Sequence, residues 1–488
     1  MSATLRHWSL AVAFLLTACT VGPDYKRPDA PVPVAFKELA GWKISQPSDT
    51  IDKGAWWSVY NDPLLDRLER TVAISNQNVK SFEAQYRNAV ALVAEARASF
   101  FPSVSVSPSV TRSGSGGGSS SRTTSSSSSF GRGPTTAYSL TGSVTWDLDV
   151  WGRIRRQVES SSAGAQVSAA DLANATLSAQ ATLAADYFDL LAEDALADLL
   201  QQTVANFRRA LQIAQNQYNA GTTSPIDVVT AQAQLDSTVA QLAGVGVQRQ
   251  QFEHAIAVLT GQPPSALTIP HGRLPGAVPV IPPGLPSALL ERRPDVAAAE
   301  RLMQQQNALI GVQVAAYYPN ISLSALGGFA GGPFGTLFTA SNALWSLGAS
   351  GSETLFEGGL RSAQVAAARA TYDSAVATYR QTVLTAFQQV EDALSNLRIL
   401  EQQAAAEARA VASTSRAVQV TLNAYRAGTV PYTSVITEQT QLLANQQAAL
   451  AIQQSRLVDS AALIQALGGG WSTEDLPKAI RTANPLLP

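Results

Sequence analysis

The chain has 488 residues, enough for two or three ordinary domains, and a formal net charge of −2 with 14% charged residues. This composition offers neither a basic surface for nucleic acid nor an acidic tail, so nucleic acid is excluded as a partner. The mean hydropathy is +0.02, and beyond the N-terminus no apolar run approaches the roughly eighteen residues of a membrane-spanning helix, so any membrane span must consist of strands.

The N-terminus has the features of a secretory signal. Basic residues precede an apolar run that ends in Leu16-Thr-Ala-Cys19, which resembles the bacterial lipobox, where the cysteine is acylated and becomes the first residue. Thr20 then resembles the outer-membrane sorting pattern of lipoproteins. Cys19 is the only cysteine, so an internal disulfide is excluded. We predict a signal peptide over 1–18 and lipidation of Cys19, with a signal that lacks lipidation as the alternative.

A proline-rich stretch from Val21 to Pro47 is predicted to be an extended tether with little core of its own. Asp62-Pro63 then provides an N-cap and first helical residue, which predicts one helix running to about Phe100. A counterpart is predicted from Pro294-Asp295 to about Tyr318.

Strict alternation of apolar and small polar residues follows each of these helices, in 103–110, 138–150, 320–325 and 345–350. One apolar face and one Ser/Thr-rich face are what a lipid-facing, water-lined barrel strand requires. A half-buried sheet in a soluble protein has the same period, so alternation leaves both interpretations open. Glu353 falls on the apolar parity, which predicts a bulge or the end of the last strand before it.

Aromatic residues at both ends of the strands favour the membrane interpretation. They would form two girdles at the membrane interfaces, and the candidates are Phe101, Tyr138, Trp146, Trp151, Tyr318, Trp345 and Phe356. The stretch 113–133 between the first two strands is almost wholly Ser, Gly, Thr and Arg, which predicts a disordered external loop.

Each half of the chain then enters a helix of more than sixty residues, on the order of 95 Å long at 1.5 Å per residue. Apolar residues in the first of these helices recur at alternating spacings of four and three, which predicts a coiled-coil seam: Leu200, Val204, Phe207, Leu211, Ala214 and Tyr218. Returning helices are predicted over 225–261 and from about 432 to 468.

The turns between these helices form an internal repeat. Tyr218 to Leu235 reappears without a gap as Tyr425 to Leu442, about 207 residues later, with about half of the positions identical. This spacing indicates that half a domain was duplicated. Gly221 and Gly428 suit left-handed caps at the helix tips, and each turn is short enough to make its two helices antiparallel neighbours.

The sequence therefore predicts an α+β, mostly α fold that is built from two similar halves. The predicted divisions are a signal peptide (1–18), a lipidated tether with an equatorial segment (19–61), a first repeat (62–262), a proline-rich bridge (263–290), a second repeat (291–470) and a tail (471–488). Four strands cannot span a membrane alone, because the sheet edges would leave backbone groups unpaired in hydrocarbon. A trimer with about twelve strands would close a barrel wide enough for water.

Several motifs together resemble the TolC-like outer-membrane factors of tripartite efflux systems, in particular the NodT-type lipoprotein branch. They are Cys19 to Pro28, Asp62-Pro-Leu-Leu65, Trp146 to Arg153, Glu291 to Asp295 and the two Tyr-x-Ala-Gly-Thr turns. The resemblance covers essentially the whole mature chain. It implies a homotrimer with a 12-stranded transmembrane β-barrel, four strands per chain, an equatorial region and a long periplasmic α-helical barrel.

The resemblance further implies an exit duct in the bacterial outer membrane that passively conducts small molecules. Its expected partners are outer-membrane lipid, a periplasmic adaptor (membrane fusion) protein and an inner-membrane transporter, commonly a proton-driven one of the RND type.

Family members narrow the tunnel at the helix tips. By resemblance, Asp227 and Tyr425 match residues that hold this mouth shut, while Ser434 and Thr437 occupy positions where some members carry constricting carboxylates. Val430 replaces an arginine of that latch. With Ser434 and Thr437 in place of carboxylates, the resemblance does not imply an acidic ring here. An ordinary seam aromatic is the alternative for Tyr425.

Two other classes of protein are disfavoured. An enzyme would need catalytic machinery, but the chain has three histidines, no metal-spaced cluster and no nucleophile motif in a strand-turn-helix context. We therefore predict no catalytic residues, no metal and no cofactor. A trimeric adhesin, part barrel and part coiled coil, would place its helices outside the cell, where protease would reach them.

Overall fold

A computed structural model describes residues 20–30, 32–33, 35–39, 55–114, 134–281, 292–471 and 473–477. The predicted signal peptide, Cys19 and most of the Ser/Gly-rich loop lie outside these residues. The principal elements are α1 (Pro63–Ser75), α2 (Gln77–Ala98), β1 (Ser103–Ser113), β2 (Thr135–Leu148), α3 (Arg153–Asn219), α4 (Pro225–Leu259), α5 (Pro294–Ala315), β3 (Asn320–Gly331), β4 (Ala343–Ser352), α6 (Leu360–Arg426) and α7 (Tyr432–Ala466).

The four strands form one antiparallel sheet in the order β1-β2-β3-β4. The predicted alternation is confirmed, because valine pairs with valine (Val104 with Val144) and serine with serine (Ser105 with Ser143) across β1 and β2. The two serine hydroxyls lie 2.7 Å apart. β4 ends at Ser352, one residue before Glu353, as the parity of that carboxylate predicts.

The sheet has two free edges. β1 pairs only with β2 and β4 only with β3 among the described strands. Large apolar side chains on these edge strands are exposed in the single chain, including Val104 at 71% and Trp345 at 78%. Both edges therefore present unpaired backbone groups beside apolar surface.

The long helices confirm the predicted duplication in length and position. α3 and α6 each have 67 residues, and α4 and α7 each have 35, so the long helices measure about 100 Å. Gly152 and Gly359 precede α3 and α6 with left-handed φ values of 80° and 88°. Every boundary of these four helices repeats at an offset of 207 residues, which follows from the printed bounds.

The prediction of a single helix from Asp62 to about Phe100 is wrong, because Asn76 divides it into α1 and α2. Asn76 has an extended ψ of 125°, and its side-chain oxygen accepts from the backbone N–H groups of Asn78 and Val79. Its side-chain nitrogen donates to the carbonyl of Leu259, at the end of α4, over 2.8 Å. One amide therefore starts α2 and ties it to the returning helix.

Each returning helix, α4 or α7, ends against the start of a helix that leads into the sheet, α2 or α5. A Cβ added to Gly261 would lie 2.2 Å from the carbonyl oxygen of Ser75, and one added to Gly468 would lie 2.0 Å from that of Arg292. Arg293 donates to the carbonyl of Ala466 over 2.9 Å, in the role that Asn76 has in the first half. Only glycine permits these two close approaches.

The described part of the N-terminal segment is largely extended, as predicted, and it packs against the core of the helices rather than forming one of its own. Phe36, Trp56 and Trp57 are buried in the main apolar core with residues of α1, α3, α6 and α7. Asp24 forms an ion pair of 2.7 Å with the buried guanidinium of Arg156, near the start of α3. Aromatic burial and this ion pair fix the segment along the helices.

Among the described helices, none combines the length and apolar character needed to cross a membrane.

Candidate functional site

The two predicted helix tips have the same backbone geometry. Gly221 and Gly428 have left-handed φ values of 73° and 74°, as predicted. In the first turn the N–H of Thr222 donates to the carbonyl of Gln217 over 2.9 Å, and the second turn repeats this bond between Thr429 and Ala424 over 3.0 Å. These bonds satisfy carbonyls that the helix ends leave free.

Asp227 and Tyr425 lie close to each other at these tips, but each has its own hydrogen-bond partner. Asp227 accepts a bond from the hydroxyl of Thr223, one turn before it. Tyr425 donates its hydroxyl to the side-chain oxygen of Gln217, at the end of α3. Tyr425 therefore joins the α6/α7 pair to the α3/α4 pair through Gln217.

Burial raises the pKa of Tyr425, and the nearby charge of Asp227 raises it further. The same two causes act on Tyr432, together with Tyr425 itself, and raise its pKa to about 12. Both hydroxyls therefore remain protonated donors at neutral pH.

Tyr425 and Tyr432 pack together over the seam of the first helix pair. Their ring centroids are 5.2 Å apart, and both rings are buried in one apolar cluster with Val435. The first pair contributes six buried members of this cluster: Val204, Phe207, Leu211, Ala214, Ala231 and Leu235. The tip of the second half is therefore seated on the first half.

Two of the other sequence candidates lie outside this cluster. Ser434 is half-buried, and Thr437 is exposed with its hydroxyl bonded to the carbonyl of Thr433 in its own helix. The predicted seam is confirmed from Leu200 to Ala214, but Tyr218 is 47% exposed and does not belong to the buried seam.

A family model described as outer membrane efflux protein matches residues 70–262 and 285–469. The chain belongs to the outer membrane efflux protein family. It is 30% identical over 355 residues to the probable efflux pump outer membrane protein TtgC of Pseudomonas putida, covering 69% of each chain. It is also 27% identical to the cation efflux system protein CusC of Escherichia coli, over 94% of this chain and 97% of CusC.

A solved structure supports the same assignment. The outer-membrane channel OprN superposes on this efflux protein with a TM-score of 0.83 and 30% sequence identity, covering 93% of this chain and 100% of that of OprN.

The predicted girdle residues of this efflux protein lie at the ends of its strands. Trp151 stacks on Tyr318 with ring centroids 4.8 Å apart. The ring centroids of Tyr138 and Phe334 are 5.3 Å apart. The indole of Trp146 donates to the carbonyl of Phe100 over 2.9 Å. A further two, Phe101 and Phe356, are exposed in the single chain. Their position in lipid stays a prediction.

Sequence reasoning missed two tip residues of this efflux protein, Gln217 and Tyr432. Gln217 is one of many glutamines in the long helices, and nothing local indicates its contact with Tyr425. Tyr432 could have been identified from the repeat, because it takes the place of Pro225 and so adds an aromatic ring to one tip only.

Proposed function

We propose that three copies of this chain form the outer-membrane exit duct of a tripartite efflux pump. The observation that carries the proposal is the open four-stranded sheet at one end of paired helices about 100 Å long. Three such sheets give about twelve strands and pair every edge. Membership of the outer membrane efflux protein family supports the same reading.

The two faces of the sheet support a water-filled lumen inside lipid. The apolar residues of the strands share one face, and hydroxyls share the other, where Ser109 and Ser139 lie 2.7 Å apart. In the closed barrel the apolar face would contact lipid and the hydroxyl face would line the conduit. Such a lining conducts many small molecules with little selection.

The partners follow from this role. A duct without an energy source needs a periplasmic adaptor and an inner-membrane transporter, and we propose a proton-driven transporter of the RND type. The long helices would reach toward them through the periplasm, and the tips at Gly221 and Gly428 would form the inner mouth.

Neighbouring residues of β1 provide a matched test, because Val106 lies on the apolar face and Ser107 on the hydroxyl face. Val106→Arg should reduce membrane insertion, since an arginine on the lipid face costs about 2–4 kcal/mol at the bilayer midplane in each copy, whereas Ser107→Arg should insert and conduct. Native mass measurement in detergent should give three chains, and planar bilayers should show open channels. Equal insertion of the two variants, or a stable monomer with full strand content, would refute the barrel.

We also propose that Cys19 carries a lipid that helps to hold the protein at the outer membrane. The next residue, Thr20, lies against Gly152 where β2 ends and α3 begins, and an added Cβ on Gly152 would come within 2.8 Å of it. Gly152 follows Trp151, which stacks on Tyr318. Labelled fatty acid should label the native chain but not Cys19→Ser, and label that persists in the variant would exclude this site.

The final element of the proposal is that Asp227 and Tyr425 help to keep the inner mouth closed. Loss of one hydrogen bond that ties the tips together is worth about 0.5–1.5 kcal/mol, and more when a buried group is left unpaired. Tyr425→Phe removes the bond to Gln217, and Asp227→Ala removes the charge beside Tyr425; both variants should raise channel conductance. Tyr218→Phe is the matched control, because this repeat-related tyrosine is exposed. Unchanged conductance in both test variants would leave closure to packing alone.

A further inference from the structure

The four described strands contain two charged residues, and the register places them on opposite faces of the sheet. They are Arg112 in β1 and Asp147 in β2. Arg112 is opposite Thr136 and has the same parity as Val110, so it belongs to the apolar face. Asp147 is opposite Ser322, on the hydroxyl face. The acid therefore lies on the side of the sheet that would line the conduit, and the cation lies on the side that would contact lipid.

Arg112 lies at the end of the sheet that is far from the helices. Each strand joins a helix at the opposite end, α2 before β1, α3 after β2, α5 before β3 and α6 after β4. Along β2, Thr136 is ten residues from the girdle residue Trp146, which corresponds to about 34 Å of strand. A tilt of about 40° reduces this to about 26 Å, close to the apolar band of about 25 Å on outer-membrane barrels. The guanidinium of Arg112 would thus lie in the outer headgroup layer.

This end of the sheet brings no acid to neutralise Arg112. The sequence contains neither Asp nor Glu between Glu95 and Asp147, or between Glu300 and Glu353, and these two stretches hold both hairpins. Arg112 is exposed, and within the part of the chain that the structure describes it has no ion-pair partner. Its charge is therefore available to an anion from outside the protein.

Aromatic rings lie beside Arg112 at the same end of the apolar face. Tyr138 is one pair further inward on this face, and its ring centroid is 5.3 Å from that of Phe334. The rings of Phe329 and Phe338 are 5.4 Å apart. Phe334 and Phe338 are 65% and 62% exposed. The surface thus combines exposed apolar rings with one cation at their outer margin.

We infer that Arg112 binds the phosphate of an anionic lipid headgroup in the outer leaflet, while the acyl chains of that lipid lie on the aromatic rings below it. The inference rests on the proposed barrel. A guanidinium binds phosphate through two parallel hydrogen bonds, and the hydroxyl of Thr136, directly across the strand pair, can donate a third. Three copies would carry three such sites around the outer margin of the barrel.

The charge of the site selects among lipids. A zwitterionic headgroup carries its own cation beside its phosphate, so it gains little from a second one. A headgroup whose phosphates lack a compensating ammonium gains most, because the two acid-free hairpins add no competing carboxylate. The lipid class that fits Arg112 is therefore one with uncompensated phosphate groups.

Lipid retention by the purified trimer tests the inference. The trimer in detergent is titrated with bisphosphorylated lipid A, and native mass spectrometry counts the bound lipid. Arg112→Gln should weaken binding about fivefold, the factor that corresponds to about 1 kcal/mol for one basic residue at an anionic membrane surface. Arg208→Gln removes the same charge from an exposed position of α3 and, as the matched control, should leave binding unchanged. Dephosphorylated lipid A should bind the native trimer several-fold more weakly.

Exchanging two neighbouring residues separates the position of the charge from its presence. Thr111→Arg combined with Arg112→Thr keeps the net charge and the level of the guanidinium along β1, but it moves the guanidinium to the hydroxyl face. This double variant should bind the phosphorylated lipid as weakly as Arg112→Gln. In planar bilayers it should also pass anions more readily than the native channel, because the cation then lines the conduit.

Several results would overturn the inference. They are native lipid binding by the double variant, equal binding by Arg112→Gln and Arg208→Gln, and equal binding of phosphorylated and dephosphorylated lipid. Displacement of the lipid by excess inorganic phosphate would show a site for the free anion instead. A monomer, or a trimer without channels, would refute the proposed duct itself, whereas a conducting trimer without phosphate-dependent retention would refute the lipid site alone.

Discussion

Glu69 should make the protein less stable as pH rises, because its carboxyl group is fully buried without a partner. It lies on the core face of α1 with Leu65, Leu68 and Val72, and it is 0% exposed. Neither carboxyl oxygen has a hydrogen-bond partner. Burial raises the pKa of Glu69 from 4.5 to about 9, so the folded protein holds this carboxyl group neutral at physiological pH.

The sign and size of the effect follow from proton linkage. Between about pH 4.5 and pH 9 the folded state keeps a proton that the unfolded state has lost, so stability falls as pH rises, by about 1.4 kcal/mol per unit. Three pH units separate the unfolded pKa from pH 7.5, which corresponds to about 4 kcal/mol. Below about pH 4.5 the penalty disappears.

Glu69→Gln keeps the shape of the neutral carboxyl and removes its titration. Hydrogen exchange of the α1 amides at matched pH reports the free energy of opening this helix. At pH 5.5 the variant should exchange about tenfold more slowly than the native protein, and at pH 7.5 about a thousandfold more slowly.

Glu401→Gln, which removes an exposed carboxyl from α6, should change neither rate. The reasoning about Glu69 fails if Glu69→Gln slows exchange by the same factor at both pH values, or does not slow it.

Three further predictions concern the contacts that fix the helices. Asn76→Ala removes the cap of α2 and its bond to Leu259, and it should lower the free energy of unfolding by about 1–3 kcal/mol in denaturant titration. Gly468→Ala should lower the thermal midpoint more than Gly428→Ala, because both have positive φ but only Gly468 lies against a backbone carbonyl; equal shifts would contradict this reading. Arg156→Leu should free the N-terminal segment, because it removes the bonds to the carbonyls of Val21 and Gly22 and the ion pair with Asp24, and limited proteolysis would detect this as faster cleavage there.

Local sequence signals predicted most of the fold. Alternation predicted the strands and their two faces, and the position of Glu353 predicted the end of β4. Gly221 and Gly428 predicted the tips, because a left-handed cap needs glycine. These features depend on residues within a few positions of one another.

The features that sequence reasoning missed depend on distant partners. Asn76 divides α1 from α2 through a contact with Leu259, 183 residues later, whereas the helical pattern around it continues. Glu69 has the residue type of an exposed helix position, and only the packing of α1 shows that it is buried. Tyr218 and Tyr425 are identical within the repeat, so nothing local predicts that one is covered and the other exposed.

The equal lengths of α3 and α6 restrict how this protein can change in evolution. Both helices have 67 residues, and their tips must end at one level to meet in a ring. Inserting one residue into either helix would advance its tip by about 1.5 Å and rotate every later side chain by about 100°. Tolerated length changes should therefore come in whole seam repeats, in both halves together, with matching changes in α4 and α7. The length of the helical part can therefore change in evolution only when both halves change together by whole seam repeats.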